Sequence, residues 1–301
     1  MVKIAVAGDI ASEIVDVLPR PIPQQSSPAV TYATTDYSSV SELTDLLRGC
    51  SVMLSFVTSH PDAFQTQKNL IDASVAAGVR RIAPSEWASP RFDHTPWYDF
   101  KAQTRTYLET LKREKPGVVE YCLFQPGLLT NYLTYPHRSA KHLSPIMLPF
   151  NFGARRMIVP CRSDSGAKIT FTTVHDLANV VARAIEFEGE WPVMGGIRGS
   201  DLTFAELIAL GGDVRGSIKV NEIDLYLLEA GTWTNEWYPK IEHNAIPPEQ
   251  REAMSKAATA SLLLAANAGA WETNGAWNGL LPDYSFESAK EFLAQAWDGR
   301  P

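Results

Sequence analysis

The 301-residue sequence lacks the features that place a protein in a membrane or on a nucleic acid. No apolar run reaches the roughly eighteen residues that a membrane-spanning helix needs. The first residues, MVKIAVAG, have neither the basic start nor the small-residue cleavage site of a secretory signal. The net charge of -7 leaves no excess of lysine and arginine to neutralise a phosphate backbone. These absences predict a protein with no nucleic-acid partner and no membrane partner.

Cysteine is scarce, and neither the cysteines nor the histidines have metal-ligand spacing. The three cysteines, Cys50, Cys122 and Cys161, form no C-x-x-C pair, and no two histidines stand four residues apart on a predicted helix. An odd number of scattered cysteines is typical of reduced thiols in a cytoplasmic protein. The sequence also lacks the G-x-S-x-G turn of an esterase and the P-loop of a nucleotide hydrolase. We therefore expect no metal and a cytoplasmic location.

Glycine is missing where a dinucleotide-binding protein needs it. The strand-like start ends at Gly8, but Asp9 follows and a helical pattern begins by residue 13, so the second and third glycines of the fingerprint are absent. Those glycines allow the backbone to approach the pyrophosphate and the helix to pack on the strand. Four prolines in residues 19–28 then occupy the place of the second strand, whose end normally contacts the adenosine ribose. The sequence predicts a degenerate cofactor site, with Gly8 its only remaining cofactor-binding residue.

Apart from that loop, strand and helix patterns alternate through the first half of the chain. Strands are predicted at 2–7, 29–34, 52–57, 81–84 and 118–124, and helices at 13–18, 41–47, 63–77 and 100–114. The second half predicts a hairpin at 150–161, a strand at 218–223 and helices at 177–186, 204–210, 224–230, 253–269 and 288–297. This order predicts an α/β fold: a Rossmann-like, doubly wound parallel sheet with a smaller α+β C-terminal substrate domain. We place the first domain at 1–150, with parts of 165–200 returning to it, and a mainly substrate-binding domain at 151–301.

Several segments resemble one family. The sequence VRRIAPSEW at 79–87, KAQTR at 101–105 and DYS at 36–38 resemble segments of NmrA-like and isoflavone-reductase-like proteins, which are atypical short-chain dehydrogenases. In the second half, GIRG at 196–199, EAG at 229–231 and PDY at 282–284 are similar to fungal members. The resemblance implies a Rossmann-type domain, NADPH chemistry on aromatic or polyketide-like molecules, and Lys101 as proton donor or relay. Members carry G-x-x-G-x-x-G, whereas this chain keeps only Gly8.

The candidate catalytic residues lie near the carboxyl end of the 81–84 strand and at the start of the following helix. Lys101 is the first candidate, because a lysine that is partly removed from water can transfer protons near neutral pH; the alternative is an exposed helix lysine. Glu86 is a candidate base or a partner for Lys101, and equally a structural cap. His94 and Tyr98 lie on the intervening segment, where a solvated loop histidine is the ordinary alternative.

Side chains at the carboxyl ends of the predicted strands are candidates for substrate binding, because open α/β sheets bind ligands there. Aromatic residues of the second half could line an apolar pocket or simply belong to the core. The candidates are Ser85, Trp87, His60, Phe56, Gln125, Leu128 and Trp233.

Together these observations predict a small-molecule enzyme, active as a monomer or homodimer, that has no cofactor. We expect an isomerase, cyclase or dehydratase of secondary metabolism, with Lys101 as acid or base. Two alternatives stay open: an NADPH-dependent oxidoreductase of the isoflavone-reductase type, and a non-catalytic, ligand-binding regulator.

Overall fold

A computed structural model describes residues 3–7, 31–161, 166–242 and 246–300. Gly8, the predicted helix at 13–18 and the proline-rich segment at 19–28 lie outside the described residues. The chain divides into two compact units. The first consists of Met1–Trp87, Trp97–Phe124 and Leu177–Gly195, and the second of Ala88–Pro96, Gln125–Asp176 and Gly196–Pro301.

A four-stranded parallel sheet forms the centre of the first unit. Its strands follow chain order across the sheet: β1 (Ile4–Ala7), β2 (Val52–Ser55), β3 (Arg81–Ala83) and β4 (Glu120–Tyr121). β2 and β3 are buried along their whole length, as expected for parallel strands covered on both faces. The connecting helices are α1 (Val40–Leu47), α2 (Ala63–Ala77) and α3 (Asp99–Glu114). The predicted α/β class with a parallel sheet is confirmed.

The ends of these helices follow the sequence signals. Ser39 caps α1 by accepting a hydrogen bond from the Glu42 amide at 3.2 Å. Gly78 ends α2 with a left-handed φ of 75°, a conformation that glycine adopts without steric cost. One apolar cluster beneath the sheet includes Leu43 of α1, Ile71 of α2 and Leu108 of α3. Burial of this cluster fixes the helices against the sheet and therefore positions the strand ends.

The predicted strand at 29–34 is wrong for its described part. Residues 31–36 have no regular secondary structure, and Tyr32 is 91% exposed. Threonine and tyrosine favour strands only when a neighbouring strand and a core face are available to them. Among the described residues, β1 pairs with β2 alone, so residues 31–36 form no ladder with it.

The second unit contains two three-stranded sheets and most of the remaining helices. Their strands are β6 (Leu128–Leu129), β7 (Phe150–Asn151), β8 (Arg156–Pro160), β9 (Ile169–Thr172), β11 (Ser200–Leu202) and β12 (Lys219–Ile223). One sheet has the order β11-β9-β6 and the other β12-β8-β7. β7 and β8 are antiparallel, as predicted for the hairpin.

Two further strands, β5 (Leu123–Gln125) and β10 (Met194–Gly196), pair with each other, and the first two residues of each belong to the first unit.

Five of the remaining helices overlap the predicted ones: α4 (Val174–Glu186), α5 (Phe204–Arg215), α6 (Leu225–Glu229), α7 (Pro248–Asn267) and α9 (Ala289–Trp297). A further short helix, α8 (Ala276–Leu280), was not predicted. Within the described part of the chain, none of the helices has the length and apolar character that crossing a membrane requires.

Thr203→Ala is expected to lower the free energy of unfolding by about 1 kcal/mol. Thr203 caps α5 in a reciprocal arrangement, accepting from the Glu206 amide at 3.2 Å while its own amide donates to the Glu206 carboxylate at 2.8 Å. Urea unfolding measures the difference. Thr234→Ala, in an exposed irregular segment, is the control and should shift the midpoint little. Equal shifts in both variants would contradict the capping role.

Candidate functional site

Lys101 is buried in the first turn of α3, with 6% of its surface exposed. Its ammonium donates to the main-chain carbonyls of Ser85, at 2.9 Å, and Glu86, at 2.5 Å. The nitrogen also lies 4.7 Å from the ring centroid of Tyr98 and 5.4 Å from that of Phe100. Two carbonyl dipoles and a ring face therefore surround the amine, and all of them stabilise its charged form.

Burial lowers the pKa of Lys101 to about 8, because the protein interior solvates an ammonium less well than water does. The negative charge of Glu86 acts against this shift, and the positive charge of Arg105 adds to it. An ordinary lysine is almost entirely protonated at neutral pH. At a pKa near 8 both forms are populated close to physiological pH, so Lys101 can both donate and accept a proton.

Glu86 holds Lys101 through its main chain and not through its carboxylate. The carboxylate, in a residue that is 1% exposed, forms two bonds with Arg105: Nε to Oε1 at 3.1 Å and Nη2 to Oε2 at 2.5 Å. Both carboxylate oxygens are therefore bonded to the guanidinium, and the contact of Glu86 with Lys101 is made by its main-chain carbonyl. Sequence reasoning did not single out Arg105, although the K-A-x-x-R spacing, one helical turn, places it on the face of Lys101.

Three aromatic rings stack at residues 84–87, the segment that follows β3. Phe56 and Trp87 stack at 4.3 Å between centroids, and Trp87 and Phe124 at 5.5 Å, with all three rings nearly parallel. The indole of Trp87 donates to the Ser55 carbonyl at 2.6 Å, and its backbone has a φ of 34°. A tryptophan in this left-handed region is strained, and the stack and the hydrogen bond hold it there.

The other predicted site residues divide between the units. Ser85 is buried in the first unit and its hydroxyl donates to the Val57 carbonyl at 2.8 Å. His60 is exposed and its Nδ1 accepts from the Asp62 amide at 3.3 Å. His94, which is exposed with a φ of 59°, and Gln125, Leu128 and Trp233 belong to the second unit. The structure thus brings Lys101, Glu86, Tyr98, Ser85, Trp87 and Phe56 together within one unit.

Gly8 and the turn after it, where a dinucleotide would approach the first strand, lie outside the described residues. Residues 31–36, the described part of the stretch where a ribose-contacting strand would end, have no regular secondary structure. The segments after β2 and β3, residues 56–60 and 84–87, contain no lysine or arginine to pair with a phosphate. Their polar groups are used internally, as the bonds from Ser85 to Val57 and from Trp87 to Ser55 show. Nor do the described residues include a cluster of side chains that could hold a metal ion.

The parallel sheet, with a lysine held by carbonyls just beyond the carboxyl end of β3, defines a Rossmann-like α/β protein. Solved structures share this fold along the whole chain. The NADPH-dependent quinone oxidoreductase of Escherichia coli, complexed with NADPH, is 18% identical with a TM-score of 0.65, covering 98% of this chain and 100% of that one. The triphenylmethane reductase of Citrobacter sp., complexed with NADP(H), is 17% identical with a TM-score of 0.62, covering 98% and 100%. An isoflavone reductase is 16% identical with a TM-score of 0.64, covering 97% and 98%.

The sequence model of the NmrA-like family matches residues 21–216, about two thirds of the chain. The protein belongs to the NmrA-like family. The predicted resemblance is therefore confirmed. No curated protein matches the sequence.

Proposed function

We propose that this protein is an enzyme that acts on a small molecule and that Lys101 transfers the proton in its reaction. One observation carries the proposal: a buried lysine, held by two main-chain carbonyls beside an aromatic ring, with its pKa lowered to about 8. Keeping a lysine buried is unfavourable unless its charge is compensated. A family member that retains this arrangement at the carboxyl edge of its sheet, where ligands bind in such folds, has a ready acid-base group.

In the proposed reaction the neutral amine of Lys101 removes a proton from carbon or oxygen of the substrate. The resulting ammonium is stabilised by the Ser85 and Glu86 carbonyls and by the ring of Tyr98. It then returns the proton to another atom of the substrate, or to the oxygen that leaves as water. The first outcome is an isomerisation or cyclisation and the second a dehydration; both are redox-neutral overall for the substrate and need no oxidant, reductant or second reactant.

We assign the substrate to aromatic or polyketide-like compounds and the reaction to the non-redox class. The family resemblance supports the substrate class. The missing glycines after Gly8, the four prolines that follow and the absence of basic residues in segments 56–60 and 84–87 support the loss of NADPH. In the proposed enzyme Lys101 still transfers a proton, and NADPH, the hydride donor, is not used.

An NADPH-dependent reductase is the second candidate. Two of the structures with the same fold were solved with NADPH or NADP(H) bound. In that case Lys101 would supply the proton that accompanies reduction, and the lysine geometry would be equally useful. The two candidates differ in whether the protein binds the nucleotide at all.

Calorimetric titration with NADPH and with NADP⁺ separates them. The non-redox proposal expects no binding in the micromolar range. A panel of aromatic ketones and polyketide-like enols is then incubated with the protein, with and without NADPH, and the products are weighed by mass spectrometry. Products of unchanged mass, or lighter by one water, support the proposal. Micromolar nucleotide binding together with products heavier by two hydrogens would overturn it in favour of the reductase.

A further inference from the structure

Two cations of α3 hold the same loop. Lys101 and Arg105 are one helical turn apart and therefore lie on one face of the helix. Both side chains reach Glu86, Lys101 at its carbonyl oxygen and Arg105 at both carboxylate oxygens. Like charges at this spacing on a helix repel each other. Here the two cations bond to different atoms of the same buried residue, Glu86.

The fork of Arg105 fixes Glu86 in both position and orientation. Two parallel bonds between a guanidinium and a carboxylate leave little rotational freedom. The side chain of Glu86 is 1% exposed and that of Arg105 16%, so water cannot replace either partner easily. Because the Glu86 carbonyl belongs to the same residue, fixing the carboxylate also fixes the acceptor that Lys101 uses.

We propose that Arg105 and Glu86 form a positioning pair that sets the protonation of Lys101. Arg105 bonds to the Glu86 carboxylate, whose negative charge would otherwise favour the ammonium form of Lys101. The proposal rests on the function assigned to Lys101 above. An arginine is always charged in proteins, so it stays bound to Glu86 over the whole working pH range. A lysine at position 105 could itself lose its proton when buried, so its charge would not be constant beside Lys101. Among the described contacts, the titratable and charged groups that face Lys101 are Glu86, Arg105 and Tyr98.

The two halves of the pair act on the pKa of Lys101 in opposite directions. Arg105 lowers this pKa and Glu86 raises it. Removing Arg105 takes away a positive charge that opposes protonation of Lys101 and leaves the Glu86 carboxylate that favours it, so the amine should keep its proton to higher pH. Removing the charge of Glu86 leaves the positive charge of Arg105 without the opposing carboxylate, so the amine should lose its proton at lower pH.

The test measures the ionisation of Lys101 directly and needs no substrate. Full-length protein labelled with ¹³C at lysine Cε is titrated by NMR, and the signal of Lys101 is assigned by its loss in Lys101→Met. In Arg105→Gln the pKa of Lys101 should rise by about one unit, a tenfold change in the neutral fraction. In Glu86→Gln it should fall. Arg113→Gln, an exposed position on the last turn of the same helix, is the control and should leave it unchanged.

The opposite signs distinguish tuning from mere support of the loop. If the pair only braced residues 84–87, either variant would admit water to Lys101, and both would raise its pKa toward that of a free lysine. A rise in both variants, or no change in either, would overturn the proposal. If Arg105→Gln fails to fold, the double variant with Glu86→Gln removes both charges, and its pKa should lie between that of the wild type and that of Glu86→Gln.

The outcome is separable from that of the proposed function. If the pKa shifts are found but Lys101→Met retains full turnover, the pair tunes an amine that the reaction does not use, and only the proposed function fails. If turnover depends on Lys101 while its pKa ignores both substitutions, the positioning pair is wrong and the proposed function stands.

Discussion

Lys101→Met should reduce kcat by about 10²- to 10⁴-fold on the substrate identified by the product-mass screen, which is the usual contribution of a positioned acid or base. Methionine has a similar length and no charge, so it fills the buried space of the aliphatic chain without a proton to exchange. The three groups that surround the ammonium, the Ser85 and Glu86 carbonyls and the Tyr98 ring, lose their cationic partner. Steady-state kinetics and thermal unfolding measured on the same preparation separate loss of chemistry from loss of fold.

The proposed role of Lys101 also predicts the direction in which turnover changes with pH. As a base, Lys101 must be deprotonated, so the turnover of the wild type should rise with pH through about 8, the pKa of the buried amine. The inflection should vanish in Lys101→Met. Lys115→Met, at the exposed end of α3, is the matched control and should keep both the rate and the inflection. A variant at position 101 that retains the wild-type rate and profile would remove this lysine from the mechanism.

The sequence predicts the first unit well wherever local chemistry decides the structure. The helix at 63–77 was predicted with the bounds observed for α2, because Gly78 supplies an unambiguous stop. In the second unit, the predicted helix at 204–210 begins where α5 begins, because Thr203 and Glu206 form a capping box there. The strand at 29–34 was wrong in its described part because strand formation depends on a partner, which propensity does not reveal.

The site was predictable only in part. Family motifs pointed to Lys101, and the strand-end rule pointed to Ser85 and Trp87. Neither indicates whether Glu86 would contact the lysine with its side chain or its main chain, because that choice depends on a guanidinium arriving from the next turn of α3. The burial that lowers the pKa of Lys101 is likewise a property of the packed unit.

Residues 81–87, which contain β3 and the residues that contact Lys101, are held at their start by Arg81, the first residue of β3. Its Nε donates to Glu120 of the neighbouring β4 at 2.9 Å. Its two terminal nitrogens donate to the carbonyls of Phe187, at 2.7 Å, and Gly189, at 2.6 Å, just beyond α4. Its guanidinium carbon also lies 5.1 Å from the ring centroid of Trp191. One side chain thus joins the sheet to the segment that follows the last helix of the first unit.

Arg81→Met is expected to lower the free energy of unfolding by about 3–5 kcal/mol, the usual cost of removing one member of a buried ion pair. Only 5% of the Arg81 side chain is exposed, so water cannot take over its bonds, and Glu120, itself 19% exposed, loses the closer of its ionic partners. Urea unfolding provides the measurement. The neighbouring Arg80 gives an internal control, since it is 70% exposed and 3.9 Å from the same carboxylate. Arg80→Met should change stability by no more than about 0.5 kcal/mol.

The buried bonds of Arg81 stabilise the same segment that contacts Lys101. Arg81 fixes the start of the segment that ends at Trp87, and Arg105 fixes Glu86 near its end. Between these two anchors, the Ser85 and Glu86 carbonyls are held on Lys101. Arg81→Lys keeps the charge but loses the planar fork, so it should recover part of the stability and leave the pKa of Lys101 near 8. Similar losses from Arg80→Met and Arg81→Met would show that charge near Glu120, and not the buried network, stabilises the strand.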